Sequence, residues 1–588
     1  MNRETSQNLL PVVSEVPNTD TYNINPIHKL VEGQIAVGYE SLASRLKTEK
    51  TIIIDGYVGV DWNEVISSLK TSFKDNGFTV SAFNIQDCLK SENEIEAMVA
   101  PYLNGDDPVF GKITDLKLLD YFEKEKLANV KLENNTDIQI VYGTGAALSN
   151  VEGCIVYVDL PKNELQYRMR ANAITNLGLS KVKPHKQMYK HFYFVDWVVL
   201  NHEKKKLLPQ FDIILDQQRP SEPTWTEGEA LRKSLTNISQ NFFRVRPWFE
   251  PGVWGGNWIK EHIDGLNPNV PNYAWSFEMI VPENGLIFGD QNGWLEVSFD
   301  MLMFLEHKNV LGKAANRFKY EFPIRFDFLD TYDGGNLSVQ CHPRPEYIKT
   351  EFGENFTQDE TYYILDAESD AQVYLGFQDD INPKEFKEAL ENSYQTKEEL
   401  DVEKYVQKMP AKKHDLFLIP HGTVHCSGIN NMVLEISATP YIYTFKMYDW
   451  QRLDLEGNPR PLNIERAFQN LNFNRKGTVV QDTLISKPTV EAQGEGWQKI
   501  HLPTHPDHFY DIYRYEFEDE VVIETNNQCH ILMLVEGTAV ELSVPQQQQT
   551  FYYAETFAVP AATNKYRLTN KGNGLAKVII SFVKDEAC

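Results

Sequence analysis

The chain has no long hydrophobic segment, no cysteine framework and no excess of basic residues. No apolar run approaches the roughly 20 residues that cross a bilayer, and the N-terminus lacks the long apolar core of a signal peptide. Only six of the 588 residues are cysteines, and none of them forms a CxxC pair. We therefore expect a soluble cytoplasmic protein with reduced thiols, and the same absences argue against a membrane protein or a disulfide-stabilised scaffold.

Acidic residues outnumber basic ones. The chain contains 57 Lys and Arg against 83 Asp and Glu, which gives a net charge of −26. Such a surface repels phosphate backbones and anionic lipids, so neither nucleic acid nor a membrane is an expected partner. A phosphorylated ligand would need a local cluster of Lys or Arg to work against this field.

The pattern of apolar and polar residues changes once along the chain. Continuous apolar runs at 51–60, 136–148 and 153–161, with helical spacing at 65–77, predict a parallel sheet covered by helices. Beyond a predicted linker at 220–229, short alternating strands bounded by turn residues predict a β-sandwich or barrel.

These patterns predict a multidomain chain in which an α/β domain precedes two β-barrel or sandwich units. A helical insertion is predicted within the first β unit, at 382–393 and 397–409. The predicted boundaries are an N-terminal arm at 1–28, the α/β domain at 29–225, and the β units at 240–480 and 485–588.

Four residues of the first β unit have the chemistry of a metal site. Gln340 and His342 are two apart on a predicted strand, which puts both side chains on one face. Glu360 precedes another strand, and His425 lies in a glycine-bearing turn. Two imidazoles and two oxygens suit Zn²⁺, with Fe²⁺ or Mn²⁺ as lesser options. Taken singly, each residue is more commonly an ordinary polar side chain; their order and contexts together favour a metal.

A family resemblance rests on four segments: RFDFLDTYDGGNLSVQCHP, DETYYILDA, LFLIPHGTVHCSG, and VLEISATPYIYTFKMYDWQRLDLEGNPRPLNIERAF. Together with PGVWGGNWI, they resemble bacterial type I phosphomannose isomerases over about 240–585. The resemblance implies two cupin (jelly-roll) barrels and zinc bound by Gln340, His342, Glu360 and His425. It also implies interconversion of mannose 6-phosphate and fructose 6-phosphate through a cis-enediol.

The chain departs from this family at two basic positions. Lys446 stands where relatives carry an Arg, and Gln358 where they carry a Lys. Both changes weaken the grip on a phosphate or an oxyanion. The resemblance implies that Lys446, Arg452 and Asp449 are the catalytic residues. Lys446 could instead be a solvated strand lysine, and Arg452 a surface partner of Asp454. Asp449 resembles a family residue at the edge of the site, but could equally serve core or loop packing.

Two other functions therefore stay open beside phosphomannose isomerisation. The losses at positions 358 and 446 favour an isomerase of an unphosphorylated or other sugar. A non-catalytic sugar-phosphate sensor would keep the metal ligands without turnover. The histidines of the second β unit lack the Gln-x-His spacing and a following Glu, so we predict a structural role for them; they are His501, His505, His508 and His530.

The N-terminal domain contains a segment that looks like a degenerate phosphate-binding loop. Two later segments, IVYGTGAAL and CIVYVDLPKNELQYRMR, resemble the corresponding strands and the Arg-bearing lid region of uridine-kinase-like proteins. In IIIDGYVGVDWNEV, counted from Gly56, the second glycine, the Lys and the Ser/Thr of the motif are replaced by Asp61, Trp62 and Asn63. We predict a P-loop-like fold without phosphoryl transfer. Its use in dimerisation, substrate channelling or nucleotide sensing stays open, as does homo-oligomerisation.

Overall fold

The computed structural model describes residues 3–13, 21–105, 107–133, 135–281, 283–455 and 457–588. Contacts divide the chain into two units. The first comprises Met1–Pro17, Asn25–Ser239 and Val281–Glu306, and the second comprises Asn18–Ile24, Gln240–Ile280 and His307–Cys588. The segment Val281–Glu306 thus groups with the first unit, whereas the sequence predicted it as part of the first β domain.

The first unit is built on a seven-stranded sheet. Five neighbouring strands, which in spatial order run from Ile213–Asp216 to Val80–Asn84, are parallel to one another. The two remaining strands are antiparallel. The parallel strands are largely buried on both faces, in keeping with their continuous apolar runs. The strands, in spatial order, are Ala36–Val37, Thr224–Glu227, Ile213–Asp216, Cys154–Asp159, Thr51–Gly56, Ile138–Tyr142 and Val80–Asn84.

Helices connect the strands of this sheet. The helix predicted at 65–77 is present as Trp62–Asp75, and its N-terminus is capped by the Asp61 carboxylate. The helices of the described part of this unit are Gly38–Leu46, Trp62–Asp75, Glu92–Val99, Lys124–Ala128, Lys162–Arg170, His185–His191, Trp197–Leu207 and Gly228–Ile238.

One prediction about the edges of this unit is wrong. The stretch 220–229 is not a linker, because Thr224–Glu227 pairs with Ile213–Asp216 in the sheet. The N-terminal arm or strap at 1–28 stays a prediction, and in its described part Arg3 binds Glu164 at 2.9 Å and Ile27–Lys29 pairs with Gly285–Gly289. Gly285–Gly289 pairs in turn with Trp294–Ser298. The remainder of the predicted arm, 14–20, lies outside the described residues.

The second unit begins with two antiparallel sheets. The strands of the first, in spatial order, are Leu416–Ile419, Asp359–Ala367, Asn431–Ala438, Arg325–Asp330, Trp275–Met279 and Trp248–Glu250. Those of the second are Val406–Pro410, Gln372–Phe377, His425–Ser427, Val339–Cys341 and Phe445–Tyr448. We call them the wide sheet and the narrow sheet.

Two further antiparallel sheets form the C-terminal part of this unit and enclose an apolar core that includes Phe517, Leu532 and Phe551. The strands of one are Thr489–Gly494, Trp497–Leu502, Tyr510–Phe517, Ala576–Val583, His530–Glu536 and Thr556–Val559. Those of the other are Glu520–Glu524, Lys565–Asn570, Ala539–Val544 and Gln547–Tyr552. The β-rich architecture predicted after residue 240 is therefore observed.

The predicted helical insertion is only half present. Residues 382–393 fall in the helix Pro383–Thr396, but Lys397 has a left-handed backbone (φ 64°) and ends it. Instead of a second helix, a single turn at Val402–Lys404 leads into the strand Val406–Pro410. The other helices of the second unit's described residues are Trp258–His262, Ala315–Phe318, Pro345–Phe352, Ile464–Asn470 and Thr478–Thr483.

The helix Asp300–Leu311 spans the division between the two units and is kinked at Glu306, whose φ of −128° is not helical. Across the described residues, no helix has both the length and the apolar character needed to cross a membrane. The six cysteines are free thiols, of which only Cys588 is exposed.

Candidate metal centre

Strand register in the narrow sheet sets three polar side chains in a row. Gln340 is paired with His425 on one side and with Lys446 on the other. Directly opposite residues of neighbouring strands project from the same face, so the three side chains share one face of the sheet. His342 is two residues beyond Gln340 and continues that face at the strand end.

Glu360 reaches the same point from the wide sheet. Its carboxylate oxygens lie 3.0 Å from Nε2 of His342 and 3.4 Å from Nε2 of His425. One ligand atom from each of the three residues falls within 4.8 Å of the others, and all three side chains are buried. The amide Nε2 of Gln340 lies 3.4 Å from Nε2 of His425, so the fourth predicted residue borders the same space.

Both imidazoles are held so that Nε2 faces this centre. Nδ1 of His342 is 2.9 Å from the carbonyl of Tyr443, and Nδ1 of His425 is 2.9 Å from the carbonyl of Thr423. A carbonyl accepts only, so Nδ1 of each ring carries a proton, and Nε2 is the atom that faces the centre. A histidine that binds a metal through Nε2 requires this orientation.

A tight turn before His425 positions this residue at the centre. Gly422 has φ +75°, and its N–H donates to the carbonyl of His342 at 2.9 Å. A Cβ at this glycine would lie 2.6 Å from the carbonyl oxygen of Asn470, so a larger residue does not fit.

Gln358 takes part in this arrangement. Its Nε2 donates to Oε1 of Glu360, and its Oε1 accepts from the backbone N–H of Tyr443 at 2.7 Å. The sequence presented Gln358 only as the loss of a lysine, whereas the structure shows a side chain that orients Glu360.

The donor set suits a divalent cation. Nε2 of His342 and Oε2 of Glu360 are buried and have no hydrogen bond to any described residue. Burial favours the neutral form of Glu360, but the neighbouring His342 and His425 outweigh it and hold the pKa of the carboxyl below its usual range. A carboxylate oxygen and two imidazole nitrogens around one point are typical zinc ligands.

Two buried carboxyl groups beside Glu360 were missed in the sequence. Asp327 and Glu435 are direct cross-strand partners in the wide sheet. Burial, together with the charge of Glu360, raises the pKa of both groups well above its usual range, and the charge of Asp327 adds to the rise at Glu435. A charged residue at an inward position of an otherwise apolar strand, as in RFDFLD and VLEIS, is the signal that could have found them.

The three residues predicted as catalytic do not lie together. Lys446 is half-buried on the face that carries Gln340. Tyr448 is paired with Val339, which points to the opposite face of the sheet, and its ring contacts Trp450. The chain therefore turns to the outer side of the narrow sheet before Asp449.

Asp449 and Arg452 belong to an outer cleft of about 480 Å³. Asp449 is buried and binds Arg452 at 2.6 Å and Arg460 at 2.5 Å. Arg460 was not singled out in the sequence. The alternative pairing of Arg452 with Asp454 stays a prediction, as do the catalytic roles given to Asp449 and Arg452, which this placement does not favour.

In the predicted phosphate-loop region of the first unit, carboxylates of the chain accept hydrogen bonds from the backbone N–H groups. The buried Asp55 carboxylate accepts from the N–H groups of Gly56, Gly145 and Ala147 at 2.6, 2.9 and 2.8 Å. Asp61 accepts from the N–H of Glu64 at the start of the following helix. Both Asp55 and Asp61 thus accept hydrogen bonds from backbone amides of this region.

Two kinds of known protein are similar to this chain. A family described as "Domain of unknown function (DUF8485)" matches residues 38–240. The Bacillus subtilis protein named "Probable mannose-6-phosphate isomerase GmuF" is 26% identical over 273 residues, covering 46% of this chain and 78% of the relative. A Streptococcus mutans mannose-6-phosphate isomerase is 25% identical over 293 residues, covering 48% and 82%.

Among solved structures, the mannose 6-phosphate isomerase of Bacillus subtilis matches with a TM-score of 0.48 and 18% identity, covering 58% of this chain and 99% of that one. The sequence matches confirm the predicted relationship to mannose-6-phosphate isomerases over about half of the chain and support an aldose–ketose isomerase. The relationship to uridine-kinase-like proteins stays a prediction.

Proposed function

We propose that the second unit interconverts mannose 6-phosphate and fructose 6-phosphate, with a divalent cation, preferably Zn²⁺, held by Gln340, His342, Glu360 and His425. The observation that carries the proposal is the meeting of His342, Glu360 and His425 at one buried point, from three separated parts of the sequence. Homology to mannose-6-phosphate isomerases supports the choice of reaction.

The reaction moves a proton between C1 and C2 of the sugar through a cis-enediol. A bound cation would supply positive charge near the oxygen on which negative charge develops. Asp327 and Glu435 lie beside Glu360, and their raised pKa values favour the protonated forms, which can donate hydrogen bonds to sugar oxygens. Lys446 adds a basic side chain on the Gln340 face.

The direct test supplies purified, zinc-loaded protein with mannose 6-phosphate and follows the appearance of fructose 6-phosphate. Metal analysis of the same sample identifies the ion. Turnover that disappears on chelation and returns with Zn²⁺ is expected; an active protein that is unaffected by complete metal removal would contradict the proposal.

Exchanging Lys446 for arginine is expected to raise turnover on the phosphosugar severalfold, because a planar guanidinium can make two parallel hydrogen bonds where an ammonium acts as a point charge. Steady-state kinetics on mannose 6-phosphate measures the effect. The matched control is Lys499→Arg on the C-terminal sheets, where no change is expected. An unchanged kcat and KM in the Lys446 variant would argue against a role for this position.

An unphosphorylated sugar is the second candidate substrate. It is favoured by the acidic surroundings of the centre, where Asp327 and Glu435 flank Glu360 and Gln358 is bonded to Glu360 in place of a lysine. Assaying mannose beside mannose 6-phosphate separates the two, because a phosphate-independent enzyme shows the higher kcat/KM on mannose. Binding without turnover of either sugar would instead indicate a sensor.

For the first unit we propose a scaffold that does not bind nucleotide. The support is that Asp55 and Asp61 already accept from the loop and helix amides, and that the Lys of the motif is absent. Calorimetric titration of the full chain with Mg·ATP is expected to show no binding at nucleotide concentrations up to about 1 mM, which would reveal a Kd of that order or tighter. Saturable binding in the micromolar range would overturn this view.

A further inference from the structure

Two adjacent tyrosines in the strand Asp359–Ala367 have opposite surroundings. Tyr362 is two residues after Glu360 and shares its face of the strand, whereas Tyr363 projects to the other face. Both side chains are fully buried, with relative exposures of 0%. The ring of Tyr362 lies edge-on to the ring of His425, with centroids 5.9 Å apart. Tyr362 thus belongs to the wall of the candidate metal centre.

The hydroxyl of Tyr362 makes no hydrogen bond with any residue in the described ranges. Its electrostatic neighbours include the carboxyl groups of Glu360, Glu435 and Asp327, and none of them is hydrogen-bonded to it. A phenol hydroxyl is an O–H donor in its ordinary protonated form, so this group can donate to an acceptor. An unpaired buried hydroxyl is costly to a folded protein, and such groups are rare unless a ligand or water completes them.

We propose that Tyr362 is a substrate-positioning residue whose hydroxyl donates a hydrogen bond to an oxygen of the sugar bound at the metal centre. The inference rests on the proposed function of that centre. A polyol presents several oxygens that act as acceptors, and Tyr362 adds a hydroxyl donor beside the carboxyl groups of Glu360, Glu435 and Asp327. The site would consequently select a hydroxyl- or carbonyl-bearing carbon skeleton at this point rather than an apolar one.

Tyr363 provides a matched control. Its hydroxyl lies 2.6 Å from Nδ1 of His414, whose Nε2 contacts Glu536 at 2.5 Å. Removing one oxygen atom from either tyrosine changes the chain in the same way chemically. At Tyr363 the change breaks an existing hydrogen bond, and at Tyr362 it removes a donor that has no partner among the described residues.

The experiment compares Y362F and Y363F with the wild type in the full-length, zinc-loaded protein. Thermal unfolding without sugar is expected to show an unchanged or slightly raised Tm for Y362F, and a Tm lowered by about 1–2 °C for Y363F. Calorimetric titration with mannitol 6-phosphate, which has no carbonyl to isomerise, is expected to show about tenfold weaker binding for Y362F only. In turnover, Y362F should raise KM for mannose 6-phosphate about tenfold and change kcat less than about threefold, because binding is lost in both ground and transition states.

A lowered Tm for Y362F, or binding and KM equal to those of the wild type, would overturn the inference and leave the proposed function intact. A wild-type protein that neither binds mannitol 6-phosphate nor turns over mannose 6-phosphate would instead overturn the proposed function. In that case the same titration with mannitol decides the inference: weaker binding to Y362F than to the wild type sustains it, and equal or absent binding rejects it.

Discussion

Replacing His342 with alanine is expected to lower the bound zinc from about one ion per chain to a small fraction of that, and to reduce isomerase activity at least ~10³-fold. The imidazole lies 3.0 Å from Glu360 and is aligned through the carbonyl of Tyr443, so no other described side chain is placed to substitute for it. Lewis-acid stabilisation by a metal is worth several kcal/mol, which corresponds to this loss of rate. Metal analysis after gel filtration and the fructose 6-phosphate assay measure the two effects.

His530→Ala is the control for this experiment. His530 is also a buried histidine on a strand, but its Nδ1 contacts the hydroxyl of Tyr566 in the C-terminal sheets, where no metal is proposed. The control should keep full zinc content and activity while losing some stability. Full metal content in the His342 variant would show that the assigned ligands are wrong.

Replacing Arg244 with methionine is expected to destabilise the second unit by about 3–5 kcal/mol, since it leaves buried carboxylates without their counter-charge. Arg244 is 2% exposed and binds Glu555, also 2% exposed, at 2.6 Å, and its guanidinium lies 4.6 Å from the ring of Tyr22. Glu278 lies 4.0 Å from the same guanidinium. Urea unfolding followed by tryptophan fluorescence measures the change.

The loss should depend on pH in a defined direction. Burial already raises the pKa of Glu555 and Glu278 above the usual range, and Arg244 works against that rise. Without Arg244 the two folded-state pKa values rise further, so the folded variant takes up protons more readily than the unfolded chain. The variant should therefore be least stable relative to the wild type near pH 8 and recover as the pH falls towards 5.

An exposed ion pair provides the comparison for Arg244. Arg567 binds Glu520 at 2.7 Å, but their side chains are 49% and 46% exposed. Arg567→Met should change the unfolding free energy by less than about 1 kcal/mol, because water screens this pair. Equal effects of the two substitutions would show that burial of the Arg244 network does not govern its contribution.

Periodicity and turn chemistry were sufficient to predict the classes of the structural elements. Continuous apolar runs at 51–60 and 153–161 became central strands of a parallel sheet, and alternation after residue 240 became antiparallel strands. Prediction failed where tertiary pairing overrode local preference. Polar, proline-bearing 220–229 contributes a sheet strand, and helix-forming 397–409 ends a helix at Lys397 and then forms a strand.

The candidate site, like the fold, could be predicted only in part from the sequence. Four side chains with the right chemistry could be selected from the sequence because residue type and local context are sequence properties. Glu435 and Asp327 were missed in the sequence. An acidic residue on a strand is expected to be solvent-exposed unless the face of the sheet on which it lies is known. Arg452 and Asp449 looked close to the site because they follow Lys446, yet the strand turns them to the outer cleft.

The sequence by itself determined which residues can bind a metal, how they are spaced on their strands, and that the first unit lacks the lysine of a phosphate-binding loop. Only the tertiary structure decided that Glu360 meets His342 and His425, that Gln358 orients Glu360, and that Tyr362 rather than Tyr363 faces the centre. The physical reason is register. A shift of one residue in strand pairing sends every side chain to the other face, and register is fixed by packing between residues that are distant in the sequence.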